Sequence, residues 1–198
     1  MTVYVIGGGA GAGKTTAARA LSRRLGAGWL QVDTIWLALL EGCRPESPQR
    51  DVLDVRTAAR SGAYAADELV RRHVAAAEAV EAVLPTVLAF EAAAHEDLVV
   101  DGSWLTPAGV QRLAVELPVR AAYLHEADPV AVRRAMDTRR AGAHSRPWHD
   151  ALARLAFDYG QWLADEAAAR GIPVIPARPF DTQAQRVGLA VGAALTDG

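Results

Sequence analysis

The feature that most constrains this chain lies near its start, where residues 3–21 read VYVIGGGAGAGKTTAARAL. A β-branched apolar run over residues 3–6 meets five glycines, and an alanine-rich helix former follows from Lys14 to Gly26. Within that turn, Gly8, Gly9, Ala10, Gly11, Ala12, Gly13, Lys14 and Thr15 satisfy G-x-x-x-x-G-K-[ST] at every fixed position, with a strand before and a helix after. Glycines let successive backbone N–H groups curl inward as an anion nest that side chains would obstruct. The helix behind them aims its positive dipole end at the same point. Lys14 is the only lysine in a chain otherwise rich in arginine. As a compact ammonium it can reach the β- and γ-phosphates of a nucleotide, while Thr15 offers its hydroxyl to Mg²⁺ and Thr16 completes the turn.

The same residues admit a second reading. Gly7-x-Gly9-x-x-Ala12 matches the dinucleotide fingerprint G-x-G-x-x-[GA], and Asp33 follows about 20 residues on, where a ribose-binding acid lies. That reading leaves Gly13, Lys14 and Thr15 without a task.

Strand and helix signals alternate along the rest of the chain. Short apolar runs at residues 29–32, 98–100, 119–124 and 173–175 read as further strands. Helical stretches are expected at 108–116 after Thr106-Pro107, at 130–140 after Asp128-Pro129, and at 182–195. Continuously apolar strands separated by helices predict an α/β fold with a five-stranded parallel sheet covered on both faces, a three-layer arrangement. Residues 41–96 break the rhythm with helical runs at 51–60, 63–83 and 86–95, and read as a helical insertion between the second and third strands. Residues 141–148, rich in Arg, Gly, His and Pro, interrupt two helices. The 198 residues fit one domain.

Composition removes several function classes. A net charge of −2 gives no electrostatic case for nucleic acid or an anionic membrane surface. Cys43 is the lone cysteine, so no internal disulfide forms, and a cytoplasmic location is expected. The five histidines lack metal-ligand spacing. The chain has no asparagine and no second lysine, so it lacks the N-K-x-D guanine reader of a GTPase switch.

What remains is phosphoryl transfer, and three features fit it. In WLQVDTIW, Asp33 is placed at the end of the second strand, where a carboxylate can accept a proton from an attacking hydroxyl; helix capping alone would also select Asp there. In DLVVDGSWLTP, Asp101 stands at the tip of the third strand as a ligand for Mg²⁺ or its water, with Ser103 and Trp104 beside it as pocket residues. In VRRAMDTRRAGAHSR, Arg134, Arg139 and Arg140 lead into residues 137–150, expected to form a lid that closes over the triphosphate and excludes water. Alternatively this is a solvated helix, with Arg133 and Asp137 paired at i,i+4. Arg56 and Arg60 share a helix face in the insertion and can hold a phosphate or carboxylate on the acceptor. Trp36 and Trp104 can stack on a flat or sugar-like acceptor or simply pack.

Taken together, these residues resemble the small-molecule P-loop kinases of the nucleoside-monophosphate-kinase-like superfamily. WLQVDTIW followed by helices resembles the chloramphenicol phosphotransferase-like kinases, where the acid matching Asp33 serves as base. LVVDGSWLTP is similar to the strand-three segment of 2-phosphoglycerate-kinase-like proteins, which more often carry Glu where this chain has Asp101. GIPVIPARPFDT resembles the last strand and loop of the superfamily, which would place Pro176, Ala177 and Arg178 beside the adenine. The resemblance implies a P-loop kinase fold, ATP and Mg²⁺, a small-molecule hydroxyl acceptor, and a monomer or homodimer. A non-catalytic ATP-binding module is the alternative.

Overall fold

The computed structural model describes residues 1–139 and 146–193, with the backbone alone at 139 and 146. Five strands form one parallel sheet: β1 (Thr2–Gly8), β2 (Gly28–Gln31), β3 (Asp97–Asp101), β4 (Val119–His125) and β5 (Val174–Pro176). Their order across the sheet is β2-β3-β1-β4-β5. Helices occupy every connection: α1 (Lys14–Leu25), α2 (Val32–Gly42), α3 (Pro48–Leu53), α4 (Val55–Ser61), α5 (Ala66–Glu81), α6 (Leu84–Glu91), α7 (Pro107–Glu116), α8 (Pro129–Arg139), α9 (Arg146–Ala169) and α10 (Gln183–Ala190).

The two-residue period of the strands divides the core. Val3, Val5, Leu98, Val100 and Tyr123 point to one face, where α2, α4, α5 and α9 supply Trp36, Ala59, Val80, Tyr159 and Leu163. Tyr4, Ile6, Val99, Ala122 and Leu124 point to the other, against Ala17, Ala18 and Leu21 of α1 and Val187 of α10. This alternation, buried on both sides, makes the sheet the middle of three layers.

Several boundaries differ from the sequence expectations. β2 stops at Gln31, which takes the N-cap position of α2, so Asp33 lies in the first turn of that helix and neither ends the strand nor caps the helix. The run expected at 51–60 is broken at Asp54, whose carboxylate accepts from the Thr57 N–H at 3.0 Å and starts α4 anew. The helix expected at 86–95 runs over α6, and the last helix is shorter than residues 182–195. α7 begins as expected: Thr106 caps it by accepting from the Gly109 N–H at 2.9 Å, with Pro107 in its first turn. No single described helix is long and apolar enough to cross a membrane; α5 and α6 reach that length only together, bent by 42°.

The strand order decides between the two readings of the glycines. In a dinucleotide-binding sheet the strand bearing the ribose acid lies directly beside β1. Here β3 is inserted between β1 and β2, pairing Ile6 with Asp101 on one side and Asp101 with Gln31 on the other. The C-terminal ends of β1, β3 and β2 therefore gather the glycine turn, Asp101 and Asp33 along one edge of the sheet.

Candidate active site

The turn after β1 has the backbone its sequence demands. Gly8 has φ 132°, and a Cβ there would collide with the Leu124 carbonyl of β4. Gly13, the N-cap of α1, has φ 85°, and a Cβ there would lie 2.6 Å from Gln183 Oε1. Both positions therefore admit only glycine. Lys14 is buried, and its Nζ donates to the Gly9 carbonyl at 2.9 Å, which folds the ammonium back over the turn. Thr16 is exposed. The amide of Gln183 donates to the Ala12 carbonyl at 2.8 Å and to the Ala177 carbonyl at 2.6 Å. It thus ties the glycine turn to the segment Pro176, Ala177 and Arg178 expected beside a base. Arg178 itself pairs with Glu126 at 2.6 Å and lies over the Phe180 ring.

Asp101 is wholly buried. The Thr15 hydroxyl donates to its Oδ2 at 2.8 Å, and the Trp29 indole N–H donates to its Oδ1 at 2.7 Å. Gln31 Nε2 adds a longer contact to Thr15 Oγ1 at 3.4 Å. Burial pushes the Asp101 carboxyl above the ordinary carboxylate range, opposed by the Thr15 and Trp29 hydrogen bonds and then by the Lys14 charge. The Asp101 carboxylate and the Thr15 hydroxyl bring two oxygen donors together, the ligand type a hard divalent cation takes.

Beside the turn lies a cavity of about 120 Å³ lined by Ala10, Asp33, Arg56, Ser103, Trp104 and, on its inner side, His73 and Tyr159. Asp33, Arg56, Ser103 and Trp104 are thus brought together as the sequence suggested. Arg60 is not: it is exposed at the end of α4 and does not line the cavity, so the two arginines do not act as a pair. Trp36 and Trp104 are also corrected. Their rings stack on each other at 4.7 Å and 10°, the Arg56 guanidinium covers the Trp36 ring at 4.2 Å, and His73 lies 4.4 Å from the Trp104 ring. Their faces are used inside the protein. Glu81, also buried, accepts from the Thr106 N–H at 2.5 Å and from Arg112 at 2.7 Å, anchoring the loop that carries Ser103 and Trp104.

Among the arginines expected in a lid, Arg134 is exposed on α8 and does not line the cavity. Arg133 pairs with Asp137 at 3.2 Å, as a solvated helix face would, and also with Asp150. The Arg139 side chain, Arg140 and residues 141–145 of the expected lid lie outside the described residues.

Sequence reasoning did not single out Trp29, His73, Tyr159, Glu81 or Gln183. Each contributes through a partner at least 25 positions away, or through ring contacts between separate elements, and no local pattern marks such a partner.

No protein-family model matches the chain, and no curated protein matches it in sequence. Solved structures do. A gluconokinase from Sinorhizobium meliloti 1021 superposes with a TM-score of 0.54 at 15% identity, covering 98% of this chain and 93% of that one. A shikimate kinase from Bacteroides thetaiotaomicron superposes with a TM-score of 0.51 at 17% identity, covering 97% of this chain and 98% of that one. The chain has the fold of the small-molecule P-loop kinases. In this kinase fold the sheet edge that holds the glycine turn, Asp101 and the cavity is a single continuous surface, with Ala10 belonging to both turn and cavity.

Proposed function

We propose that this chain transfers the γ-phosphoryl group of ATP, with Mg²⁺, to a hydroxyl group of a small molecule. The observation that carries this reading is the junction of three parts at one sheet edge. These are a glycine cradle with a buried lysine, a buried acid bonded to the P-loop threonine, and a cavity holding a second acid. The fold shared with a gluconokinase and a shikimate kinase supports it.

The residues fit the groups the reaction needs. Gly8 and Gly13 hold the turn where a Cβ would strike the Leu124 carbonyl and Gln183, and the backbone N–H groups of the turn with Lys14 are suited to a polyphosphate. Thr15 and Asp101 would hold Mg²⁺, directly or through water, and the metal supplies charge neutralisation on the phosphates. Asp33 lines the acceptor cavity and takes the proton from the attacking hydroxyl. A bond forms from the acceptor oxygen to the γ-phosphorus as the bond to the β-phosphate oxygen breaks, leaving ADP and a phosphate ester. Lys14 balances charge on the transferred group. Catalysis of this kind is mainly positioning and electrostatics.

The test is ADP release across a panel of hydroxylated metabolites with Mg·ATP. Acceptor-dependent release above the slow background hydrolysis supports the reading. Tight ATP binding with no acceptor-dependent release from any compound refutes it in favour of a non-catalytic nucleotide-binding module.

A further inference from the structure

Four residues that line the cavity, Arg56, Trp104, His73 and Tyr159, belong to a continuous stack of side chains that also includes Trp36 and Trp162. Arg56 lies on Trp36 at 4.2 Å, Trp36 on Trp104 at 4.7 Å, Trp104 on His73 at 4.4 Å, His73 on Tyr159 at 3.7 Å, and Tyr159 on Trp162 at 5.7 Å. Two groups so close to one ring centroid must occupy its opposite faces, because on one face they would overlap. The faces of Trp36, Trp104 and His73 are therefore all spoken for. A planar ligand has no free ring face in this stack, whose remaining surface is ring edges.

Those edges carry unmet hydrogen-bonding capacity. His73 Nδ1 and Nε2 and the Tyr159 hydroxyl are buried with no hydrogen-bond partner among the described residues. His73 is 8% exposed and Tyr159 1%, and both line the cavity. Buried polar atoms left unpaired are costly, and native proteins keep few of them without a reason. A neutral imidazole presents one donor and one acceptor, and a phenol presents both. The chemical complement of such a set is a group that also donates and accepts, which a hydroxyl does and a carboxylate does not. The cavity of about 120 Å³ is also well below the roughly 300–1,000 Å³ of sites for drug-sized ligands.

Resting on the kinase reading above, we infer that the acceptor is a compact aliphatic polyol, held by hydroxyl contacts to His73 and Tyr159, and that flat aromatic acceptors are rejected. Burial, with smaller contributions from the Arg56 and Lys14 charges, brings the His73 pKa down to about 3, so its ring is a neutral hydrogen-bonding group at physiological pH. Tyr159 and His73 are then specificity residues, and Asp33 receives the proton of the one hydroxyl that reacts.

The experiment measures binding apart from turnover. Glycerol, erythritol, ribitol and xylitol are titrated against uridine, cytidine and chloramphenicol in the presence of Mg²⁺ and a non-hydrolysable ATP analogue. Calorimetry gives affinity, and ADP release is measured in parallel with ATP. At least one polyol should bind more tightly than every aromatic compound. Tyr159→Phe and His73→Phe keep a ring in the stack but remove the polar atoms. Each should weaken polyol binding by roughly 10-fold while the free protein melts no lower than wild type, since an unpaired buried group has been deleted. A purely structural role would give lower melting with unchanged affinity. Tighter binding of a nucleoside or chloramphenicol overturns the inference. So does the failure of all four polyols to bind, or polyol affinity unchanged in both variants. Polyol binding with the expected variant effects but no ADP release leaves the pocket assignment standing and removes the kinase reading.

Discussion

Asp101→Asn separates what the buried carboxylate does to stability from what it does for catalysis. Burial is the largest influence on Asp101, and it raises the pKa despite two hydrogen bonds and the Lys14 charge. A folded-state pKa above the unfolded one means that this group's stabilising contribution is complete below the unfolded value. The contribution is lost as pH rises through the folded value. At a pH above that folded value the ionised side chain therefore costs the nucleotide-free protein stability. Asparagine has the same outline: its carbonyl can accept from the Trp29 N–H, and its amide can donate to Thr15 Oγ1, whose hydroxyl turns to accept. Exchanging two charge-assisted hydrogen bonds for neutral ones loses about 1 kcal/mol each, whereas removing a buried charge recovers several. The net gain is about 1–2 kcal/mol, which raises Tm by roughly 2–8 °C for a chain of this size. The gain should shrink towards zero below about pH 4, where Asp101 is protonated in both states. In the same variant kcat should fall by about 10²–10³, because an amide supplies no negative charge to a divalent cation. Differential scanning calorimetry from pH 4 to 8, with ADP release at saturating Mg²⁺, reads both effects. A lower Tm at pH 7 would refute the burial argument, and an unchanged kcat would refute the metal role.

Lys14→Met should weaken ATP binding by at least about 10-fold in calorimetry, given the loss of a desolvated charge at the cradle; unchanged affinity removes the cradle assignment. Asp33→Asn should lower kcat by roughly 10²-fold or more with ATP affinity retained, and wild-type turnover would reduce Asp33 to a favourable charge in the first turn of α2. His73 titrates near 3 in the fold against 6.5 as its ordinary value, so the unfolded chain takes up a proton that the fold refuses as pH drops below about 6.5. Stability is therefore unaffected by this proton above that pH and falls towards pH 3 by up to about 1.4 kcal/mol per unit. His73→Phe should flatten the decline in denaturation free energy between pH 6 and 4, and parallel curves would refute the assignment.

The nucleotide half of the site was legible because it is local. Residues 8–16 adjoin in sequence, their chemistry is mostly backbone geometry, and the glycines announce that geometry. The strand alternation of Val3 and Val5 against Tyr4 and Ile6 likewise needs no distant partner. Asp33 lines the cavity but does not end the strand, because an apolar run cannot show that Gln31 already begins the next helix. The pairing of Arg56 with Arg60 failed for a related reason. Spacing puts both on one face, but α4 is a seven-residue helix restarted by Asp54, and only its beginning reaches the cavity.

The acceptor half was not legible, since its chemistry depends on what the far side of each side chain touches. A tryptophan at 36 or 104 is a stacking platform when one face is free and a structural filler when both are covered. Composition and spacing are identical in the two cases. The outcome is set by Arg56 of α4, which covers Trp36, and by His73 of α5, which covers Trp104 and is itself backed by Tyr159 of α9. That packing converts two apparent ligand platforms into a wall and turns buried histidine and tyrosine edges into the polar lining. On the proposed kinase reading, acceptor choice rests on contacts between separate helices, whereas the phosphate-binding motif is short and contiguous. Substitutions at Trp104 should consequently alter acceptor preference through the ring stacked behind it as much as through the indole itself.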